Sequence, residues 1–404
     1  MQTPVRRLAV MPAGMDHQAG GGGLASGSWV SGEESLSTAL ILSGGGARAS
    51  YQVGVLRGIS EIIGRERQPF EIICGTSAGA INAAYLASYI QSPGEGVARL
   101  YDAWRGISAA DVYDTSWSGV LKSLGSILWG VISGSGEDMP SAVLDNAPLR
   151  QLLSKWLDFD AIRGNIATGA LRDLCITAMN YSTGESVAFH EGADPVAWRR
   201  VHRVGQPAIL SIDHVMASSA IPILFPPQTI EGHYFGDGAL RQLNPLSPAL
   251  HLGARRLFIV GVSANRRIAD APVNEEPPTI AQMAGHLLNR EFIDNLEADI
   301  EHAEKINELI TQTGRRGPER IGAHGVEILV ITPSISFDEV ATRYIGRQPA
   351  SMRFLFRIIG ARGRGAGASF ASYLLFDGGF CNELIDAGYR DALESAQEIR
   401  AFLS

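Results

Sequence analysis

The sequence predicts an α/β protein of three layers, with a mainly parallel central sheet between helices. Strand, glycine turn and helix follow one another twice between Ala39 and Ile90. That alternation builds a parallel sheet flanked by helices. The composition agrees: of 404 residues 45% are hydrophobic, 19% are charged and 46 are glycine. A chain of this kind buries a sizeable core and is neither disordered nor fibrous. Apolar runs of strand length recur downstream, at Leu174–Met179, Leu257–Val262 and Val326–Ile331.

In chain order, residues 1–37 hold a glycine run, Gly20–Gly23, and no helical or strand periodicity. They are expected to be a flexible tail. Ala39-Leu40-Ile41-Leu42 is a buried strand that enters the turn Ser43-Gly44-Gly45-Gly46. Tyr51–Ile63 follows with Val53, Leu56, Ile59, Ile62 and Ile63 at helical spacing. Phe70–Cys74 is a second strand and Ala78–Ile90 a second helix. Parallel strands joined in this way bring both glycine turns to one sheet edge, where ligands bind in open α/β sheets. Residues 38–255 form the main body, and 256–404 are an extension that adds strands and a helix to it. That helix spans roughly 280–311, with Leu288, Phe292, Leu296, Ile300, Ala303, Ile306 and Ile310 on one stripe.

Two segments have a double reading. Ser118–Ser133 places Val120, Leu121, Leu124, Ile127, Leu128, Val131 and Ile132 on one helical stripe. It is a lid that takes up acyl chains or a buried helix of an insertion. Met352–Ile359 mixes Arg353 and Arg357 with bulky apolar residues, and Arg362 and Arg364 follow. It is a contact for an anionic membrane or a core helix with a linker.

A net charge of −8 argues against general nucleic-acid binding, which needs a basic face. Cys74, Cys175 and Cys381 are too few and too scattered for a disulfide framework or a zinc motif. An apolar strand buries Cys74, which makes it an inert thiol. Arg6 and Arg7 precede only a short stretch broken by Pro12 and Gly14, so no export signal is expected. No uncharged apolar run reaches the roughly 18 residues of a membrane span. The expected protein is cytoplasmic, soluble or peripheral to a membrane. No His/Asp/Cys cluster has ligand spacing, so neither a metal nor an organic cofactor is expected.

Three constellations carry chemistry. Gly75-Thr76-Ser77-Ala78-Gly79 lies between a strand and an Ala-rich helix. A serine at such a turn exposes its hydroxyl at the sheet edge, or it simply caps the helix. Gly44-Gly45-Gly46-Ala47-Arg48 lets main-chain N–H groups converge on an anion, as a tetrahedral oxyanion requires. The run Gly44-x-Gly46-x-x-Ala49, with Glu66 or Glu71 downstream, also fits a weak dinucleotide fingerprint. Phe235-Gly236-Asp237-Gly238-Ala239 is a turn or supplies a carboxylate base to Ser77, 160 residues before it.

These three motifs, in this order, resemble the patatin-like phospholipase family. Ala217-Ser218-Ser219-Ala220-Ile221-Pro222, Phe225-Pro226-Pro227 and Asn244-Pro245-Leu246 are similar to it as well. The resemblance covers roughly residues 38–255. It implies a lipid acyl hydrolase, of phospholipase A, lysophospholipase or carboxylesterase type, acting on phospholipid or another acyl ester. It also implies a dyad without histidine, in which Ser77 attacks and Asp237 takes the proton. Gly44, Gly45, Gly46, Ala47 and Arg48 then form the oxyanion hole. Gly75, Thr76, Ala78 and Gly79 form the nucleophile elbow, and Gly238 and Ala239 complete the aspartate motif.

Arg48 adds positive charge near the site or locks the turn to nearby carbonyls. Where the family has a glycine, this chain has Ala49. Alanine is harmless there if the helix has already begun, the reading favoured by the periodic pattern that follows. A Ser-His-Asp enzyme would need His251, His286, His302 or His324, and no local motif marks any of them. A lipid-binding or regulatory relative that kept the fold and lost turnover is the non-enzymatic alternative.

Overall fold

Val5–Leu8 (β1), Thr38–Leu42 (β2), Ile72–Thr76 (β3), Asp173–Asn180 (β4) and Ser186–Gly192 (β5) begin the sheet. Trp198–Arg200 (β6), Arg203–Pro207 (β7), Gln228–Ile230 (β8) and His233–Asp237 (β9) continue it, and Arg256–Val260 (β10) and Glu327–Ile331 (β11) complete it. These come from a computed structural model that describes residues 5–8, 37–119, 125, 142–242, 244–262, 279–289, 295–313, 325–361 and 366–404. The strand order is β1-β11-β10-β2-β3-β4-β5-β7-β6, with β9 branching from β4 and β8 paired to β9. From β11 to β4 neighbouring strands run parallel. The mixed character comes from the flanks: β1 is antiparallel to β11, and β5 and β9 are antiparallel to β4.

The central strands are buried on both faces, as parallel strands between helices must be. Leu40, Leu42 and Ile73 face one core, and Ala39, Ile41, Ile72 and Cys74 face the other. The first core is roofed by Ser50–Ile63 (α1), Ala78–Ser88 (α2) and Pro93–Gly106 (α3), with the Gly378–Glu394 helix packed on α1. The second is covered by Ser247–His251 and by the Asn295–Thr313 helix. Three layers result.

Two expectations change. Within the expected flexible tail, Val5–Leu8 is a strand, pairing Val5 with Ile331 and Leu8 with Ile328. Without it β11 would present an open edge of main-chain donors and acceptors. A four-residue segment with no periodicity of its own can pair there. The expected helix over 280–311 is described as Ile280–Asn289 and Asn295–Thr313, with 290–294 (and so Phe292) outside the described residues. Leu288 belongs to the first core, whereas Leu296, Ile300 and Ala303 belong to the second. A single apolar stripe does not serve both faces of one sheet, and Ile306 is exposed.

Of the segments with a double reading, 120–124 and 126–141 lie outside the described residues. The second is a helix, Ala350–Ile358, that buries Met352, Leu355 and Phe356 and exposes Arg353 and Arg357. Arg362 and Arg364 lie outside the described residues. Among the described residues no helix is long and apolar enough to cross a membrane.

Strand β4 sets the geometry of the site. Ala178 pairs with Val187 of β5 on one edge and with Asp237 of β9 on the other. The second edge is the one that β3 occupies as far as Thr76, opposite Thr177. Strand β9 therefore takes over the β4 edge where β3 leaves it. Asp237 and Ser77 meet at that junction.

Candidate active site

Ser77 follows β3 directly and stands at the N-terminus of α2. Its φ of 55° and ψ of −130° put an L residue in a conformation it rarely adopts, at a cost of about 1–3 kcal/mol. The hydroxyl makes no cap to the helix, so the capping reading does not hold. It donates instead to Asp237 Oδ2 at 2.5 Å. The elbow flanks fit their places: a Cβ on Gly79 would lie 2.2 Å from Leu42 O and 2.6 Å from Ser43 O. Only glycine lets the start of α2 pass so close to the end of β2.

Asp237 is 1% exposed. Its turn reading holds as well, because Oδ1 accepts from the Ala239 amide at 2.9 Å and caps the short helix Gly238–Arg241. One carboxylate oxygen thus ties the local turn and the other receives Ser77. Burial pushes the carboxyl up to about 7, against the lowering effect of hydrogen bonds from Ser77 and Ala239. A carboxyl that titrates near neutrality can take and return a proton at ordinary pH, which a free aspartate at about 3.9 does poorly.

The glycine turn lies beside the elbow. Gly46 has φ +55° and opens a short 3-10 helix, Gly46–Ala49, that runs into α1. Ala49 has φ −64°, so alanine is unstrained there and helical geometry has already begun. The turn is fixed from the core side by buried amides. Gln52 Nε2 donates to Ser43 O at 2.7 Å, and Asn82 Nδ2 to Ala49 O at 3.1 Å and to Gln52 Oε1 at 2.9 Å. Trp104 Nε1 donates to Asn82 Oδ1 at 2.8 Å. With the carbonyls of Ser43 and Ala49 held inward, the turn is braced at both ends. The Arg48 amide donates to Gly45 O at 3.1 Å, and its guanidinium is engaged with Asn289, Asp338, Ser369, Ser372 and Tyr373. The guanidinium is not bonded to nearby carbonyls, as one sequence reading had it; its partners lie far downstream and are mostly side chains.

Gly46 and Ser77 open onto one cavity of about 420 Å³, counting its mouth. Ile81, Trp104, Leu149, Ile221, Phe225 and Phe376 line it. The lining is mostly apolar, and among the described residues its hydroxyls are those of Ser77 and Ser219. A second apolar cavity, beside Leu56, Ile59 and Ile90, touches neither Ser77 nor Asp237.

Among the described residues, no histidine hydrogen-bonds Ser77 or Asp237. His251 Nδ1 pairs with Ser247 O at 2.8 Å and its ring stacks on Trp198 at 4.0 Å. His286 and His302 are exposed, and His324 is outside the described residues. Cys74 is buried on the opposite core, and its thiol is raised by a hydrogen bond with Cys175 and by burial. Among the described residues, no group of three or more His, Cys, Asp or Glu side chains could hold a metal.

The sequence pattern includes Ser218 and Ser219 but gives neither a role. Ser218 Oγ accepts from the Ser77 amide at 2.8 Å and donates to Thr177 O at 2.6 Å. Ser219 Oγ donates to Ser77 O at 3.3 Å. The two serines hold the Ser77 main chain from both sides. Their signal in the sequence is the serine pair at the end of a short helix, Ile212–Ser218. The partners of Arg48 have no such signal, since they lie 241–325 residues downstream.

The family model for patatin-like phospholipase matches residues 40–250, just over half the chain. A "cGAMP-activated phospholipase" of Escherichia coli (strain TW11681) is 29% identical over 216 residues, 51% of this chain and 52% of that protein. One of the same name from Pseudomonas aeruginosa (strain BWHPSA011 / Pa011) is 27% identical over 210 residues, 50% of this chain and 52% of that protein. The chain thus matches about half the length of these relatives. Patatin-like phospholipase domain-containing protein 7 of Mus musculus is 27% identical over 227 residues, 56% of this chain and 14% of that protein. Among solved structures, human GIVD cytosolic phospholipase A2 with methyl gamma-linolenyl fluorophosphonate is similar over 91% of this chain and 59% of that one, at 11% identity and a TM-score of 0.43. VipD from Legionella pneumophila is similar over 62% of this chain and 53% of that one, at 16% identity and a TM-score of 0.31. The chain belongs to the patatin-like phospholipase family.

Proposed function

We propose that this chain is a serine-dependent lipid acyl hydrolase in which Ser77 is the nucleophile and Asp237 its base. The observation that carries the proposal is the 2.5 Å hydrogen bond from Ser77 Oγ to Asp237 Oδ2 at the polar end of an apolar cavity. Ser77 Oγ attacks the ester carbonyl while Asp237 takes its proton. The carbonyl oxygen becomes an oxyanion, met by N–H groups of the Gly44–Ala47 turn and by the start of α2. When the C–O bond breaks, Asp237 returns the proton to the departing alcohol and an acyl-Ser77 ester remains. Water then attacks that ester, giving a proton to Asp237, which passes it to Ser77 Oγ as the acyl C–O bond breaks and the fatty acid leaves.

The phospholipases that share half its length support only the phospholipid class of substrate. The apolar cavity supports an acyl chain as the group held. Peripheral contact with lipid is part of the same reading. It is supported by Ile223, 74% exposed between the cavity residues Ile221 and Phe225. Single substitutions Ser77→Ala and Asp237→Asn are expected to abolish hydrolysis of a soluble nitrophenyl ester. Substantial activity in folded Asp237→Asn, with loss on replacing one histidine, would sink the dyad. A fluorophosphonate probe that leaves folded wild-type Ser77 unlabelled would favour a lipid-binding role without turnover.

A further inference from the structure

Arg48 stands two residues after Gly46, yet its side-chain hydrogen-bond partners all lie at or beyond residue 289. Nε donates to Ser372 Oγ at 2.7 Å, and Nη1 to Tyr373 OH at 3.2 Å and Asn289 Oδ1 at 3.4 Å. Nη2 donates to Asp338 Oδ1 at 2.8 Å and to Ser369 Oγ and O at 2.9 and 3.1 Å. The Tyr373 ring lies 4.0 Å from the guanidinium carbon. The Arg48 side chain is only 3% exposed, and a buried cation is tolerated where a counter-charge and hydrogen bonds meet it. Asp338 is the carboxylate that pairs with it.

The same downstream segment also meets the turn's backbone. A Cβ on Gly46 would lie 2.1 Å from Tyr373 O. The turn is therefore held between Gln52 and Asn82 on its core side and residues 338–373 on the other. All of the latter fall outside the 40–250 family match.

We infer that Asp338 and Tyr373 are positioning residues for the Gly44–Ala47 oxyanion turn, acting on it through Arg48. The inference rests on the hydrolase reading above. An arginine fork fixes direction as well as distance, and oxyanion donors stabilise only when placed at hydrogen-bond range before the reaction. Arg48 directs its donors to this downstream cluster, so it acts on the reaction by fixing the backbone that does stabilise the oxyanion. The extension is then part of the active site rather than an appendage to it.

The test compares wild type, Asp338→Asn, Asp338→Glu, Tyr373→Phe and Arg48→Lys on a soluble nitrophenyl ester, with Ser77→Ala as control. In Asp338→Asn and Arg48→Lys, kcat is expected to fall about 10- to 100-fold with KM within about threefold. Asp338→Glu recovers part of the loss. Tyr373→Phe keeps the ring and loses one hydroxyl, so it shows a smaller fall and carries the test if Asp338→Asn does not fold. Fluorophosphonate labelling should slow in step with kcat while reaching the wild-type end point. Unchanged kcat in folded Asp338→Asn and Tyr373→Phe would overturn the inference. So would a fall in kcat matched by a lower labelling end point, which is the mark of unfolding. Ester hydrolysis that survives Ser77→Ala would overturn the hydrolase reading instead.

Discussion

Ser218 Oγ accepts the Ser77 amide hydrogen at 2.8 Å and donates its own to Thr177 O at 2.6 Å. The rarely adopted conformation of Ser77 is thus tied to β4 through one buried hydroxyl. Removing that hydroxyl strands a buried N–H, which costs about 1–3 kcal/mol. Ser218→Ala is expected to lower kcat about 10- to 100-fold on a soluble ester, with KM little changed. Ser219→Ala, which loses the longer 3.3 Å bond, should cost less. Steady-state kinetics on the two variants checks the order.

On the dyad proposed above, the pH dependence of turnover would follow from Asp237, whose carboxyl burial raises to about 7. A base must be deprotonated to act, so kcat/KM should rise tenfold per pH unit below an inflection near 7 and level off above it. A profile already flat from pH 5 upward would contradict Asp237 as the base.

The raised carboxyl also predicts a change in stability. Between about pH 4 and pH 7 the folded carboxyl holds its proton and the unfolded one does not. Stability therefore falls as pH rises through that window. Crossing it removes up to about 4 kcal/mol, at about 1.4 kcal/mol per pH unit. Asp237→Asn removes this cost, so its Tm should exceed wild type at pH 8 and approach it at pH 5. Thermal melts at the two values decide it, and they separate a lost base from a lost fold.

Ile223 has φ +68° and is 74% exposed. A β-branched residue is a conformational outlier there. Its carbonyl is pinned by the Val143 amide at 2.7 Å. An exposed apolar side chain held in this way, two residues from each of the cavity residues Ile221 and Phe225, fits contact with acyl chains. Ile223→Asp, a residue that tolerates this backbone region, should lower hydrolysis of phospholipid vesicles about tenfold. Hydrolysis of a soluble ester should stay within about twofold.

What was legible in the sequence was local. Ala39–Leu42, the two glycine turns and the helices after them announce themselves within a few residues of pattern, and they stand where expected. Other features depended on partners far along the chain. Val5–Leu8 is ordered by the open edge of β11, not by its own residues. The 280–313 stretch divides its apolar positions between the two cores, which a stripe cannot reveal. Asp237 was legible as a motif, but its placement depends on β9 replacing β3 beside β4. Arg48 was open to more than one reading because its partners, Asp338 and Tyr373 among them, lie far downstream.

The fork in the sheet has a consequence for how such a chain tolerates change. Ser77 and Asp237 are both referenced to Thr177 and Ala178, adjacent residues of one strand. Their spacing is therefore indifferent to how much chain is spooled out between them. Insertions or deletions between α3 and β4, outside the helix α2 and the Ile212–Ser218 helix that hold Ser77, can reshape the walls and mouth of the cavity while the hydroxyl and the carboxylate keep their 2.5 Å. Diversity of what enters is thereby decoupled from constancy of what receives it.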